Sequence, residues 1–432
     1  MPALFACAVA PGDADDEAAS ELELGVRIVD PGPSEVLRPF PPPDFDWPRP
    51  PRLDPEELLD ITAGGYHTCV RKRNGNVYCW GLDDAGQAGM LPTATCVSAP
   101  NACVDRPRRV GGSTFTATQI DAGFDHTCTL DSTGKAYCWG RSGYGQLGAG
   151  IYGSLASPIA VSGNLTFTSI SAGVYSSCGT TAGNLYCWGM SVPGTSSYLG
   201  AASTPAVSYS PTGLAPVGVS VGYLHVCAQW VSGSFRETNC WGGNSFGQSG
   251  STPSSFATLG MGPSSVGTTA TRVTTQNNFT CVDQPAPNTS VQCFGENGWG
   301  QLGNGTFTNA SSAQTVGGNL ALHGVSTGLN HACALDANGA AYCWGNGYWG
   351  QLGHGASAVS ATPVPVSGGI AFKAIAAGYF HTCGLSTANK IHCWGSNYTG
   401  QLGTQYKSPN QTVSPPYTNG WVSTPVQALD PT

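Results

Sequence analysis

The chain has 432 residues, 60 of them Gly and 31 Pro, with 40% hydrophobic and only 10% charged residues and a formal charge of −8. That is enough apolar material for a packed core, while so few Glu, Lys and Arg exclude long exposed helices and leave a turn-dense, all-β chain of short strands. The charge is uneven: residues 1–60 hold 14 acids against 4 Arg (−10) and the remainder 11 acids against 13 bases (+2), so the body has no basic stripe to displace counterions from phosphates, and general nucleic-acid binding is excluded.

Seventeen Cys point to an oxidising compartment, secreted or at an outer cell surface, yet MPALFACAVAPG lacks a basic start and an apolar run long enough for a signal peptide or a membrane span. The segment Leu4 to Cys7 resembles the cleavage box of bacterial lipoproteins. This predicts that translation starts upstream and that Cys7 is lipidated, a lipid anchor being the one membrane link; the alternative is a chance Cys in a tail. Residues 1–58 are first acidic (GDADDEAASELELG) and then Pro-rich (LRPFPPPDFDWPRPPR), and neither part can close a core, which predicts a disordered spacer. The alternating stretch LGVRIVD could instead add a strand to the body.

Repeats with a period near 50 residues fill 59–432. Seven copies open with ITAGGYHTC, IDAGFDHTC, ISAGVYSSC, VSVGYLHVC, VTTQNNFTC, VSTGLNHAC and IAAGYFHTC, each followed nine to thirteen positions later by a second Cys, most often in CWG. In the sixth copy, HACAL alternates as a strand does, Asp336 to Gly339 supplies turn residues, and AAYCWG returns. Folding that hairpin sets Cys333 opposite Cys343, within reach of a disulfide. The same reading pairs Cys69 with Cys79, Cys128 with Cys138, Cys178 with Cys187, Cys227 with Cys240, Cys281 with Cys293 and Cys383 with Cys393, while Cys96 and Cys103 staple the longest insertion. A Gly-rich turn, usually GQLG, and a further strand complete units of four strands. At this period such units match the blades of a propeller.

The combination of AG-x-x-H, a hairpin, WG and GQLG resembles the regulator of chromosome condensation repeat family, over about 61–432. That resemblance implies a seven-bladed β-propeller. The third and fifth copies depart from the pattern, with Ser176 in place of His and QNNFTC in place of AGxxHTC. The family usually has an apolar residue at the first Cys, so a disulfide here replaces a packing contact in each blade. The nucleotide-exchange role of the family's best-known member is not carried over, because the body is not basic and the compartment differs. Secreted bacterial members that bind proteins through one face of the ring are nearer in setting.

The HxC pairs at His67, His126, His225, His331 and His381 invite a zinc reading, but each repeat lacks a fourth ligand, so a disulfide beside a structural His is favoured. No nucleophile elbow, phosphate loop or metal-ligand set is present, which predicts a non-catalytic chain with no cofactor. The repeated Trp after the second Cys reads as core, and the aromatics before GQ (Tyr144, Phe246, Trp299, Trp349) as structural first, with Tyr348 and Trp349 kept as a second candidate for recognition. Recognition is expected where copies differ, between AG and His: Tyr66, Phe124, Asp125, Tyr175, Tyr223, Leu329, Asn330, Tyr379 and Phe380. The basic clusters Arg71–Arg73 and Arg106–Arg109 read as solvated, or as an anion site if they converge. The expected function is a monomeric binding module for an unidentified surface protein or glycan, with a structural component of an envelope or adhesive layer as the alternative and an enzyme with a channel or inter-blade site as a third reading.

Overall fold

The computed structural model describes residues 53–431 apart from 92–93, 96–101, 191–200, 210–212, 234, 258–263, 266–269, 286–289, 319 and 405–419. Cys7, Cys96, the LGVRIVD stretch and the acidic and Pro-rich segments lie outside the described residues. The unit that carries the blades runs from Asp54 to Thr432.

Among the described residues there are thirty strands in seven sheets and no helix. The chain is a seven-bladed β-propeller of four-stranded antiparallel blades, two of which, the first and the fourth, add a two-residue fifth strand, Ala94–Thr95 and Ser264–Ser265. Blade 6 shows the pattern: His323–Thr327 lines the axis, His331–Leu335 and Ala341–Gly345 form the hairpin, and Ser360–Pro365 is the outer strand. In its turn the Asp336 carboxylate accepts from the Asn338 and Ala340 amides, and Gly339 takes φ 79°, which L side chains resist. Cys333 faces Cys343 in the register and is bonded to it.

The other six hairpins repeat this bridge. Cys69 is bonded to Cys79, Cys128 to Cys138 and Cys178 to Cys187. Cys227 is bonded to Cys240, Cys281 to Cys293 and Cys383 to Cys393. Each Cys faces its partner directly across the two strands, so all seven hairpin pairs expected from the sequence form disulfides, and all fourteen of these cysteines are buried. Cys103 is also disulfide-bonded.

Neighbouring blades are joined by a recurring set of side chains. His67 Nε2 meets the Thr127 hydroxyl of blade 2 at 2.8 Å, and that hydroxyl donates to the Gln87 carbonyl of blade 1 at 3.0 Å. The Trp139 indole donates to the same carbonyl at 3.0 Å. Equivalent sets are His126–Ser177–Gln146, His225–Thr280–Gln248, His331–Thr382–Gln351 and, closing the ring from blade 7 to blade 1, His381–Thr68–Gln401. A hydroxyl has one proton. Since it is given to a carbonyl, which can only accept, the histidine must donate from Nε2. Its Nδ1 is buried with no partner in all five cases, and burial pushes each imidazole down to about 3.

The GQ turn delivers the carbonyl. In six repeats the Gln side chain folds back to accept the backbone amide two residues earlier, as Gln351 does from Trp349 at 2.8 Å. The last Gly of GQLG in blade 6, Gly353 (φ 70°), lies so close to the Trp394 indole that a Cβ would fall 2.7 Å from Nε1. Two junctions lack the histidine relay, and each lacks both halves of it. Between blades 3 and 4 the pair is Ser176 and Val226, and between blades 5 and 6 it is Phe279 and Ala332. Val226, Phe279 and Ala332 join apolar clusters instead.

The basic hairpin turn of blade 1 is neither solvated nor free for an anion. Arg71 pairs with Asp60, Lys72 with Glu56, and Arg73 with Glu57, which also holds Lys373 of blade 7. Arg109 reaches this turn through Asn76 at 2.7 Å, while Arg106 pairs with Asp105.

These junctions predict coupled stability effects. His67→Phe or Thr127→Ala alone should each cost about 1–3 kcal/mol by stranding a buried polar group, and the double variant should cost less than the sum, following the Phe279 and Ala332 pair. Because the folded pKa of His67 (about 3) lies below its unfolded value of 6.5, the wild type loses this residue's contribution as pH falls through that window. The gap between wild type and double variant should therefore narrow by about 1.4 kcal/mol per pH unit below 6.5, read by denaturant titration.

Candidate functional site: an aromatic face at the channel mouth

Each inner strand ends at the AG pair, and the next two residues arch over the mouth of the channel before the His enters the hairpin. The arch is held from both sides. Its first amide donates across to the neighbouring blade in most copies, for example Phe124 N to Gly173 O at 3.0 Å and Tyr223 N to Asn277 O at 3.0 Å. Its second carbonyl accepts, in all seven blades, from the residue after WG, as Tyr66 O does from Leu82 N at 2.8 Å. The backbone is thus fixed by the repeat and the side chains are left free to vary.

The structure brings the expected residues onto this one mouth. Gly65 has no side chain at the inner position of blade 1, and Phe124 and Tyr379 from the blades on either side approach to 4.6 Å between ring centroids. Tyr66 packs on Phe124 and on Phe380, both at 5.7 Å, and Tyr175 on Tyr223 at 5.8 Å. Tyr379 is 7% exposed, and its hydroxyl is raised by burial and by Tyr175, Asp125, Tyr223 and Tyr66 around it. Asp125 pairs with Arg141 at 2.9 Å, and burial pushes its carboxyl up to about 6 against that guanidinium. Leu329 and Asn330 occupy the same rim, half-buried, with the Asn330 side-chain oxygen accepting from Asn277 at 3.4 Å.

Two of the aromatics before GQ reach the same face. Trp349 is 38% exposed and Tyr144 40%. Trp349 meets Phe380 at 6.3 Å and Tyr398 at 5.8 Å, both edge-on, and Tyr144 meets Tyr175 at 5.1 Å. With Tyr66, Leu82 and Thr399, Trp349, Phe380 and Tyr398 line a pocket of about 460 Å³ where blades 6, 7 and 1 meet. The signal was present in YWGQLG and NYTGQLG, where Tyr or Trp stands beside a turn whose fixed parts are only Gly and Gln. The zinc reading of the HxC pairs fails, since the Cys of each pair is held in a disulfide and each His Nε2 is spent on a hydroxyl.

Scaffold and face aromatics should separate by stability. Trp344→Ala, at a fully buried indole, should cost about 3–5 kcal/mol, whereas Trp349→Ala should cost about 1 kcal/mol or less, both by equilibrium denaturation.

Models of the regulator of chromosome condensation (RCC1) repeat match residues 59–87, 117–146, 323–351 and 372–401, and, in a second form, 133–179 and 338–385. The Regulator of chromosome condensation of Xenopus laevis is 32% identical over 133 residues, 30% of this chain and 30% of its own length. That of Drosophila melanogaster is 28% identical over 141 residues, 32% of this chain and 24% of its own. The matches thus span about a third or less of these relatives. Prp20p of Saccharomyces cerevisiae, described with its binding to Gsp1p and histones, superposes with a TM-score of 0.69 at 18% identity, covering 87% of each chain. Human WBSCR16 superposes at 0.67 and 18% identity, covering 82% of this chain and 94% of its own. The chain therefore carries regulator of chromosome condensation repeats and, in each of its seven blades, a disulfide.

Proposed function

We propose that the chain is a non-catalytic binding module of an oxidising compartment, secreted or held at an outer cell surface, that grips a protein partner, or a glycan, through the aromatic mouth of its ring. The observation that carries this reading is the run of half-buried rings from Trp349 and Tyr398 through Phe380 and Tyr66 to Phe124. None of these side chains takes part in the histidine relay or fills a blade core. Tyr and Trp give large contact area at low conformational cost, and the Asp125–Arg141 pair beside them supplies directional polar contacts. The five relay histidines are unsuited to acid or base chemistry because each is buried inside a junction with its Nε2 proton given to a hydroxyl. Seven buried disulfides support the compartment. Prp20p, described with its binding to Gsp1p and histones, sets a precedent for protein binding on this fold.

The test uses immobilised full-length protein and a surface fraction of the source organism. The wild type should retain one stoichiometric partner, and the triple variant Tyr66→Ala, Trp349→Ala, Phe380→Ala should lose it while keeping the wild-type thermal midpoint. Equal retention by both proteins would rule out this face.

A further inference from the structure

The axial cavity holds two departures from the repeat that neither the scaffold nor the aromatic face explains. Its volume is about 470 Å³, and the inner strands of all seven blades line it. At the third position before the arch most copies carry a hydroxyl that ties blade to blade, such as Thr62 accepting from Ala122 N at 3.0 Å or Ser326 from Ala377 N at 3.0 Å. Blade 2 has Asp121 there. Its carboxylate accepts from Thr62 at 3.2 Å, Ala122 N at 3.1 Å and Ala172 N at 2.9 Å, and no cation lies within ion-pair distance of it among the described residues. A serine or threonine would make such links without a carboxyl in the channel; burial raises that carboxyl against the donors around it, which include Ser171, and a bound ammonium would hold it ionised.

The second departure is Gln276. Six blades have Gly at this place (Gly64, Gly123, Gly173, Gly222, Gly328 and Gly378), and where a His follows, a Cβ would fall 2.3–2.6 Å from the imidazole Cε1. Blade 5 has Phe279 instead of that His, so a side chain can stand here. Gln276 is only 6% exposed, lines the cavity, and leaves its Oε1 without a hydrogen-bond partner. A buried acceptor left so costs about 1–3 kcal/mol, and such groups in native proteins ordinarily meet a partner. Both departures thus add acceptors to one cavity, Gln276 at the residue before the arch and Asp121 two residues further down its own inner strand.

The opposite end has the opposite character. Arg272, His323 and Lys373, at the starts of their inner strands, are exposed and border the same cavity. Of these, Lys373 is paired, with Glu57 at 3.2 Å; Asp60, at the same rim, is held by Arg71. Asp283 lies in the field of Arg272 and His323 and accepts from the Gly324 and Val325 amides. Strand residues rise about 3.3 Å each, so the four steps from Arg272 to Gln276 span about 13 Å. We infer that the channel is a binding site for a short peptide of three or four residues, with its ammonium at Asp121 and Gln276 and its carboxylate at Arg272 and Lys373. An extended tripeptide is about 10 Å long, which matches the separation of the two ends.

Calorimetric titration of the full chain with triglycine tests this. Saturable binding at one site is expected, at least tenfold weaker for N-acetyl-triglycine and weaker for triglycinamide. Asp121→Ser and Gln276→Gly, which restore residues that other blades carry, should each weaken binding at least tenfold without moving the thermal midpoint by more than a few degrees. The proposal is overturned if triglycine does not saturate by about 10 mM, if the acetylated peptide binds equally well, or if either variant binds as the wild type does.

Discussion

The ring depends on one short relay: a neutral imidazole donating to a hydroxyl on the next blade, and that hydroxyl donating to the carbonyl of a GQ turn. The hydroxyl has a single proton, so the direction of every bond in the chain is fixed once the carbonyl is in place. Several features that look separate in the sequence serve it. Gln holds the turn that aims the carbonyl, the following Gly lets that turn lie on the next indole, and the indole shares the carbonyl. The hydroxyl also rests on the disulfide of the blade before it, with Thr68 Oγ1 3.8 Å from Cys383 Sγ and Ser177 Oγ 3.7 Å from Cys128 Sγ. Bridge, relay and aromatic core therefore form one contact surface. The two junctions without the relay have lost the histidine and the hydroxyl together, as expected when an unpaired buried donor costs more than the pair contributes.

Once junctions and hairpins hold the ring, other positions are released from structural duty. The residues between AG and His share one backbone bond in all seven blades, from the residue after WG, and a second in most. Their side chains can then differ around the mouth, and in this chain they are mostly aromatic on blades 7, 1, 2 and 3. The same freedom accounts for the channel. A hydroxyl becomes a carboxylate in blade 2, and a Gly becomes a Gln in blade 5, where the histidine that would exclude it is itself absent. Departures from the repeat therefore carry the chemistry that could distinguish this propeller from another of the same fold.

The hairpins, the seven cysteine pairs and the buried Trp were legible in the sequence because their partners lie within about a dozen residues, where turn chemistry and strand alternation fix the geometry. The relay was not. His67 and Thr127 are 60 residues apart, and adjacent His and Thr in one copy look like partners although each bonds to a different neighbouring blade. The paired losses at Ser176 with Val226 and at Phe279 with Ala332 were visible as letters, but only the ring says which column of one repeat meets which column of the next. Tyr66, Phe124, Tyr175, Tyr223, Tyr379 and Phe380 were placed on one face correctly. Tyr144 was read as structural and Trp349 left open between structure and recognition, because aromatics recur before GQ and recurrence does not report exposure. The basic turn at Arg71–Arg73 was misjudged for a different reason, since two of its three acidic partners, Glu56 and Glu57, belong to the stretch whose composition reads as spacer.

The protonation state of the five junction histidines is the most direct measure of this account. Nitrogen-15 chemical shifts of the imidazole rings, recorded on the folded protein at about pH 5, distinguish the two neutral tautomers from the imidazolium. His67, His126, His225, His331 and His381 should all be neutral there, with the proton on Nε2 and slow to exchange. A neutral ring with its proton on Nδ1 would contradict the relay and with it the reason the blades hold together, and protonated rings at that pH would contradict the burial that holds them neutral.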